Sequence, residues 1–302
     1  MTNRILFAAV LSLVSATGAD LELRQIDLHY HSGMERPVPL PEWIKHATAD
    51  GRKAIALIDH LELYRKSPSE YAGWRSKGGF EALYPVGAEG HRALMASFDS
   101  VAKQHPELLI FKAWEVYEGE LDTGPDIEAL KLADFIGWHI SPNHAGQPPD
   151  GALLIKRAKQ IKELRKKLPV PMVLLHPFTM RIEHVQRKAR EAGRPVSSLT
   201  VEDYRFFGPG EHEEFASALY SDSIYVEISR STEAYWQDPV ARRALIEDIA
   251  PLAEMGVRFT VSTDAHSLAD ATKPFRPEAY CKELGVNPGN ASGLIQELSA
   301  RQ

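Results

Sequence analysis

The sequence predicts an α/β fold, a parallel sheet or barrel with its helices packed outside. Two observations carry that expectation. Seven short apolar runs, rich in Ile, Val, Leu or aromatic residues, alternate with longer amphipathic stretches, which is the pattern of strands joined by crossover helices. The chain of 302 residues, 44% hydrophobic and 25% charged, also suits one large domain, and a parallel α/β barrel typically uses about 250 residues.

Taken in order, the expected strands are 21–28, 53–58, 108–114, 135–138, 172–175, 224–228 and 259–261. Each is short enough to be a buried strand rather than a helix. Pro41 opens the first helix at its first turn and Asp50-Gly51 closes it, as proline and glycine do at helix ends. Further helices are expected over 88–104, 150–168, 180–192, 211–221 and 238–255, the last closed by Gly256. Residues 68–87 read as a loop-like insertion. There is no internal repeat and no low-complexity linker.

The N-terminus reads separately from the fold. Asn3-Arg4 precedes an apolar run over 5–14 and small residues up to Ala19, the pattern of a secretory signal peptide. The run is too short to span a bilayer, and no cysteine follows it to carry a lipid anchor. The expectation is a signal over 1–19, a single domain over 20–302, and an exported protein, periplasmic or secreted, without a membrane anchor after processing. A lone cysteine, Cys281, excludes an internal disulfide and a thiolate metal cluster. Acids outnumber Lys and Arg by 41 to 35, which argues against a nucleic-acid partner. The basic run over 156–167 has Leu154, Ala158, Ile161 and Leu168 at helical spacing beside it, so it reads as the solvated face of an outer helix.

The strand ends carry the chemistry. Asp27-Leu28-His29-Tyr30-His31 ends the first run, Asp59-His60 the second, Glu115 the third, His139 the fourth and His176 the fifth. The sixth contains Glu227, and the seventh leads into Asp264-Ala265-His266. In a parallel barrel all strand C-termini meet at one mouth, where active sites lie. Six of the 12 histidines fall at five of these seven ends. Imidazole and carboxylate donors suit Zn, Mn or Fe, and a carboxylate can bridge two ions. Strand alternation turns His29 and His31 to the same side, as joint ligation requires. His46, His91, His105, His184 and His212 sit in helices or loops away from any strand end and read as structural or surface residues.

The first motif with Ser32 after it, Ile58-Asp59-His60, and Ser262-Thr263-Asp264-Ala265-His266 resemble, in that order, the motifs of the PHP domain. This is the polymerase and histidinol phosphatase family of metal-dependent phosphoesterases. The resemblance runs from Ile26 to His266. It implies a distorted TIM-like (β/α)7 barrel holding two or three divalent ions, Zn, Mn or Fe. The ligands carried over are His29, His31, His60, Glu115, His139, His176, Asp264 and His266. Two departures stand out. Ala113-Trp114 precedes Glu115 where glycine and an aliphatic residue are usual. Ser32 to Arg36 follows the first pair where many trinuclear members have a further histidine, so either Glu35 substitutes as an oxygen ligand or the third ion is weak or missing; His144 is a spare candidate that reads first as a loop residue.

The implied reaction is hydrolysis of a small phosphate ester by a metal-activated hydroxide, without a covalent intermediate. Asp264, His266 and Arg230 are its candidate catalytic residues. Arg230 follows the sixth strand, and its guanidinium fork matches phosphate oxygens; Arg181 and Lys273 come next as phosphate-holding cations. Asp27 and Asp59 adjoin ligands and are expected to orient imidazoles. The alternative is an amidohydrolase or lactonase acting on a non-phosphate substrate, a superfamily that also begins with His-x-His. It usually needs a lysine at the fourth strand, where this chain has His139. No Gly-x-Ser-x-Gly elbow is present, so serine nucleophile chemistry is not expected.

Overall fold

All seven expected strands form. The computed structural model of the protein describes residues 21–33, 38–67, 69–70, 72, 85–140, 149–179, 181–220 and 223–301. The strands are β1 (Ile26–His31), β2 (Ala54–His60), β3 (Leu109–Tyr117), β4 (Phe135–His139), β5 (Met172–Leu175), β6 (Ile224–Ser229) and β7 (Phe259–Ser262). They pair in sequence order, and every pair is parallel. Just beyond β7, Ala265 bridges to Tyr30. His31 N–H donates to the Ala265 carbonyl at 3.0 Å, and Ala265 N–H donates to the His29 carbonyl at 3.2 Å. The result is a nearly closed (β/α)7 barrel. The signal-like segment, Glu35, His144, Met180 and most of the 68–87 insertion lie outside the described residues.

Several strand boundaries differ from the sequence reading, two of them for clear physical reasons. The first run turns as a single 3-10 turn over Leu23–Gln25, closed by reciprocal capping between Glu22 and Gln25, so the strand begins only at Ile26. The third strand runs on to Tyr117 because Val116 and Tyr117 pair with Trp138 and His139. The main helices are α1 (Leu40–Ala49), α2 (Gly87–Gln104), α3 (Gly151–Arg165), α4 (Arg181–Glu191), α5 (Glu211–Leu219), α6 (Pro239–Glu254) and α7 (Pro288–Ser299). Asp150 caps α3 by accepting from Leu153 N–H, and Asp238 caps α6 by accepting from Val240 and Ala241. Each such cap satisfies otherwise orphaned first-turn donors and contributes about 1 kcal/mol. None of the described helices is long and apolar enough to cross a membrane.

The strands send alternate residues inward and outward. Trp114 turns outward to the helical layer, where its indole N–H donates to the Ala129 carbonyl at 3.0 Å. Its neighbour Glu115 thereby faces the barrel interior. Trp43, Trp114 and Trp138 are fully buried, each contributing roughly 4–6 kcal/mol of hydrophobic transfer. Gly137 leaves the room that Leu175 fills: a Cβ there would lie 2.3 Å from Leu175 Cδ1. Lys156 and Lys159 on α3 pair with Asp122 and Glu214, and Lys166 at its C-terminal cap pairs with Glu163, so much of the basic run's charge is neutralised on the surface.

Candidate metal centre

The mouth of the barrel gathers all eight expected ligands. A bulge in β1 sets the first pair: Asp27 pairs with Ile55 and Tyr30 with Leu57, so the bulged strand has one residue more than its neighbour. Bulges of this kind re-aim side chains and are frequent beside active sites. His29 and His31 then bring their Nε2 atoms within 3.0 Å of each other. Glu115 Oε2 lies 3.2 Å from both. Asp264 Oδ1 lies 3.2 Å from His31 Nε2 and 3.5 Å from His29 Nε2. Donors on a tetrahedron with ion–ligand bonds of about 2.0–2.1 Å are separated by roughly 3.3–3.4 Å. The three separations within His29, His31 and Glu115 run from 3.0 to 3.2 Å, so this trio can offer a small divalent cation three converging donors.

Glu115 reaches other imidazoles too. Its Oε2 lies 3.6 Å from His60 Nε2, while its Oε1 meets His139 Nδ1 and lies 3.4 Å from His176 Nε2. One buried carboxylate thus spans two groups of donors. Four sets can each offer a cation three converging atoms: His29-His31-Glu115, His60-Glu115-His139, His29-His176-Asp264 and His31-His60-His266. Burial is graded from floor to mouth. The His29 and Glu115 side chains are 0% and 1% exposed, whereas His139 and His266 are 28% and 34% exposed. A substrate would therefore approach from the side of His139 and His266.

The backbone is held unusually at two of these positions. His176 and Asp264 have φ of 34° and 54°, values that non-glycine residues seldom adopt and that concentrate at functional sites. His176 follows directly on β5 and Asp264 lies two residues beyond β7, where the chain must turn to bring its side chain back over the mouth.

Charge in the cup is finely opposed. Burial works against the charged form of His29, but the Glu227 and Asp264 carboxylates outweigh it and hold its pKa well above the usual histidine range. His176 is raised in the same way: burial pulls it down, and hydrogen bonding to Glu115 with the nearby carboxylates pushes it up further. Burial would raise Glu115, yet His60 and His139 hold it well below the usual carboxylate range. Asp264 is likewise lowered, burial being outweighed by His29 and His31. A bound cation would take the place of imidazole protons beside these carboxylates, since ligation requires neutral imidazole.

The carboxylates that orient the imidazoles are not the expected ones. Asp27 accepts from Thr263 N–H at 2.9 Å and from its hydroxyl at 2.8 Å, fixing the strand end that carries Asp264. Asp59 accepts from its neighbour's backbone, His60 N–H, at 2.9 Å and from the Tyr64 hydroxyl at 2.8 Å. The His29 ring instead donates from Nδ1 to Glu227 Oε1 at 2.8 Å, and the His60 ring from Nδ1 to Glu62 Oε1 at 3.0 Å. Sequence reasoning noted Glu227 on the sixth strand without giving it a role, and overlooked Glu62. A lone carboxylate inside an otherwise apolar strand was the available signal for Glu227.

The expected phosphate-holding cations are engaged elsewhere. Arg230 binds Asp270 through Nη2 at 2.8 Å to the carboxylate and through Nη1 at 2.7 Å to the carbonyl. Lys273 also pairs with Asp270, at 2.6 Å, and Asp270 Oδ2 accepts from His266 N–H at 3.3 Å. Arg181 donates to the Arg205 carbonyl and lies over the Phe206 ring. Of the remaining histidines, His91 is buried against Tyr64 and Trp114. His46, His184 and His212 sit in α1, α4 and α5, and His105 caps the C-terminal end of α2.

No protein-family model matches this chain, and no curated protein sequence matches it. Among solved structures the likeness is one of fold. The chain is similar to the crystal structure of histidinol phosphate phosphatase from Lactococcus lactis subsp. lactis, complexed with Zn, L-histidinol and phosphate. The TM-score is 0.54 at 12% identity, covering 89% of this chain and 99% of that one. A cryo-EM structure of archaeal ribonuclease P with mature tRNA also matches, with a TM-score of 0.47 at 12% identity over 91% of this chain and 88% of that one.

Proposed function

We propose that this protein is a metal-dependent hydrolase of small phosphate esters, with two or three divalent ions (Zn, Mn or Fe) held by His29, His31, His60, Glu115, His139, His176, Asp264 and His266. The observation that carries the reading is Glu115, whose two oxygens reach separate imidazole groups from the barrel floor. Divalent ions bound there would lower the pKa of water and neutralise charge on a phosphoryl oxygen. The chain's own residues supply the rest. His266 donates Nδ1–H to the Asp264 carbonyl at 3.0 Å, which leaves Nε2 as its basic atom at the mouth. Asp264 is kept ionised by His29 and His31, so its carboxylate serves as an anionic ligand or as the acceptor that orients a water. Arg230 holds the outer phosphate oxygens by exchanging its contacts to the Asp270 carboxylate and backbone carbonyl for a bidentate grip on the substrate.

The fold of the Zn-, histidinol- and phosphate-bound neighbour supports the reading at the level of architecture. The signal-like N-terminus adds export to the proposal, with action in the periplasm or outside the cell. The test is a screen of phosphomonoesters, phosphodiesters and lactones with Zn2+, Mn2+ or Fe2+ supplied in turn. Release of phosphate or of a phosphomonoester supports the proposal. Cleavage of lactones alone transfers the chain to the amidohydrolase-like alternative, and no cleavage with any metal overturns the hydrolase reading. Fractionation of expressing cells tests export: full-length protein with residues 1–19 intact in the cytosol contradicts it.

A further inference from the structure

Glu227 sits at the centre of the barrel floor, 1% exposed, and three donors from three other parts of the barrel converge on it. His29 Nδ1 from β1 and Ser262 Oγ from β7 lie 2.8 and 2.5 Å from its Oε1. His176 N–H, at the end of β5, lies 2.6 Å from its Oε2. Two of these contacts bear on the metal centre. The His29 bond fixes the proton on Nδ1 and turns the Nε2 lone pair toward His31, Glu115 and Asp264. The His176 bond holds a peptide whose φ is 34°, a conformation that persists only where its surroundings hold it in place.

We infer that Glu227 is a positioning residue that sets both the tautomer of His29 and the backbone of His176, so that the two rings are presented to one cation. This rests on the metal-centre reading for its purpose, but its geometry stands without it. A carboxylate can do this and an amide cannot. Two acceptor oxygens serve three donors in a site with no water access, whereas glutamine has one oxygen and an NH2 group. If the glutamine oxygen faces His29 and Ser262, its NH2 faces the His176 N–H, and two donors oppose each other. If the oxygen faces His176, the NH2 donates to His29 Nδ1, the ring proton moves to Nε2, and the lone pair is lost from the cation side. Either arrangement removes one ligand from its pose, and partners of this kind set metal affinity by roughly 10- to 100-fold.

The test uses the full domain and Zn2+ as the probe. In metal-free parent protein at alkaline pH, where the rings are neutral, 15N NMR should place the His29 proton on Nδ1; a proton on Nε2 overturns the inference without any variant. Glu227→Gln should weaken Zn2+ binding roughly 10- to 100-fold in competition with a chromogenic chelator, with either a shifted His29 tautomer or a displaced His176 amide resonance. Full Zn2+ affinity together with unchanged His29 and His176 signals in the variant also overturns it. A parent that binds no Zn2+ while keeping the Nδ1–H tautomer contradicts the metal-centre reading and leaves the positioning geometry supported.

Discussion

Replacing Asp27 by alanine should destabilise the metal-free protein, because this carboxylate holds a backbone turn and not an imidazole. Asp27 is fully buried and accepts both the N–H and the hydroxyl of Thr263, itself only 2% exposed. Truncation leaves two buried donors without an acceptor, at about 1–3 kcal/mol each. It also strips Arg52 of one anionic neighbour, leaving it the 2.7 Å pair with Asp50. The sum, about 2–6 kcal/mol, is a large part of the 5–15 kcal/mol that stabilises a typical domain. It corresponds to a fall of roughly 5–20 °C in Tm for a domain of this size. Asp27→Asn keeps one acceptor and should lose about half as much. Urea unfolding of metal-stripped protein is the assay, since bound ions would otherwise add their own stabilisation. If Asp27→Ala unfolds within about 0.5 kcal/mol of the parent yet loses bound metal, Asp27 acts on a ligand ring and the assignment here is wrong.

Other perturbations test separate links. Gly33 has φ of 94°, and a Cβ there would lie 2.4 Å from Asp59 Oδ2; Gly33→Ala should therefore cost about 1–3 kcal/mol in chemical denaturation, and an unchanged midpoint would refute the clash. The Arg194 and Thr200 hydrogen bonds lower the Asp203 carboxyl from 3.8 to about 2. A depressed carboxyl stabilises the fold above its unfolded pKa and stops doing so as pH falls through its folded value. The Tm difference between the parent and Asp203→Asn should thus be constant at neutral pH, shrink below about pH 4 and vanish near pH 2; a difference that persists at the acid end contradicts this. Arg230→Ala should leave metal content unchanged and raise KM for an anionic ester, and steady-state kinetics showing parental KM and kcat would remove Arg230 from the substrate site.

Much of the fold was legible because burial on both faces of a parallel strand leaves a short apolar run with sharp ends. Met172–Leu175 was read without error since Pro171 and His176 bound it. Strand boundaries failed where local chemistry competed with hydrophobicity: Leu21 and Leu23 are as buried as strand residues, but capping by Glu22 and Gln25 turns the chain there. The single helical turns over Glu120–Thr123 and Ile127–Leu130 are too short to leave a periodic signal. In the site, the eight candidate ligands were legible from their positions at strand ends. What was not legible is which carboxylate supports which ring. Adjacency in sequence suggested Asp27 and Asp59, but alternation turns Asp59 and its direct neighbour His60 to opposite faces, and the β1 bulge between Asp27 and Tyr30 breaks the same-side alternation between Asp27 and His29. The acceptor for His29 therefore comes from Glu227, 198 positions away.

On the proposed function, Glu115 would lie between two cation positions at the barrel mouth. Elemental analysis of the purified domain, loaded with Zn2+ or Mn2+ and freed of excess metal, tests it most directly when parent and Glu115→Ala are compared. The parent should hold about two or more ions per chain, as a carboxylate-bridged hydrolytic site requires, and the variant should lose most of them while its helical content stays unchanged. A parent that retains less than one ion per chain, or a variant that keeps the full parental complement, would contradict it.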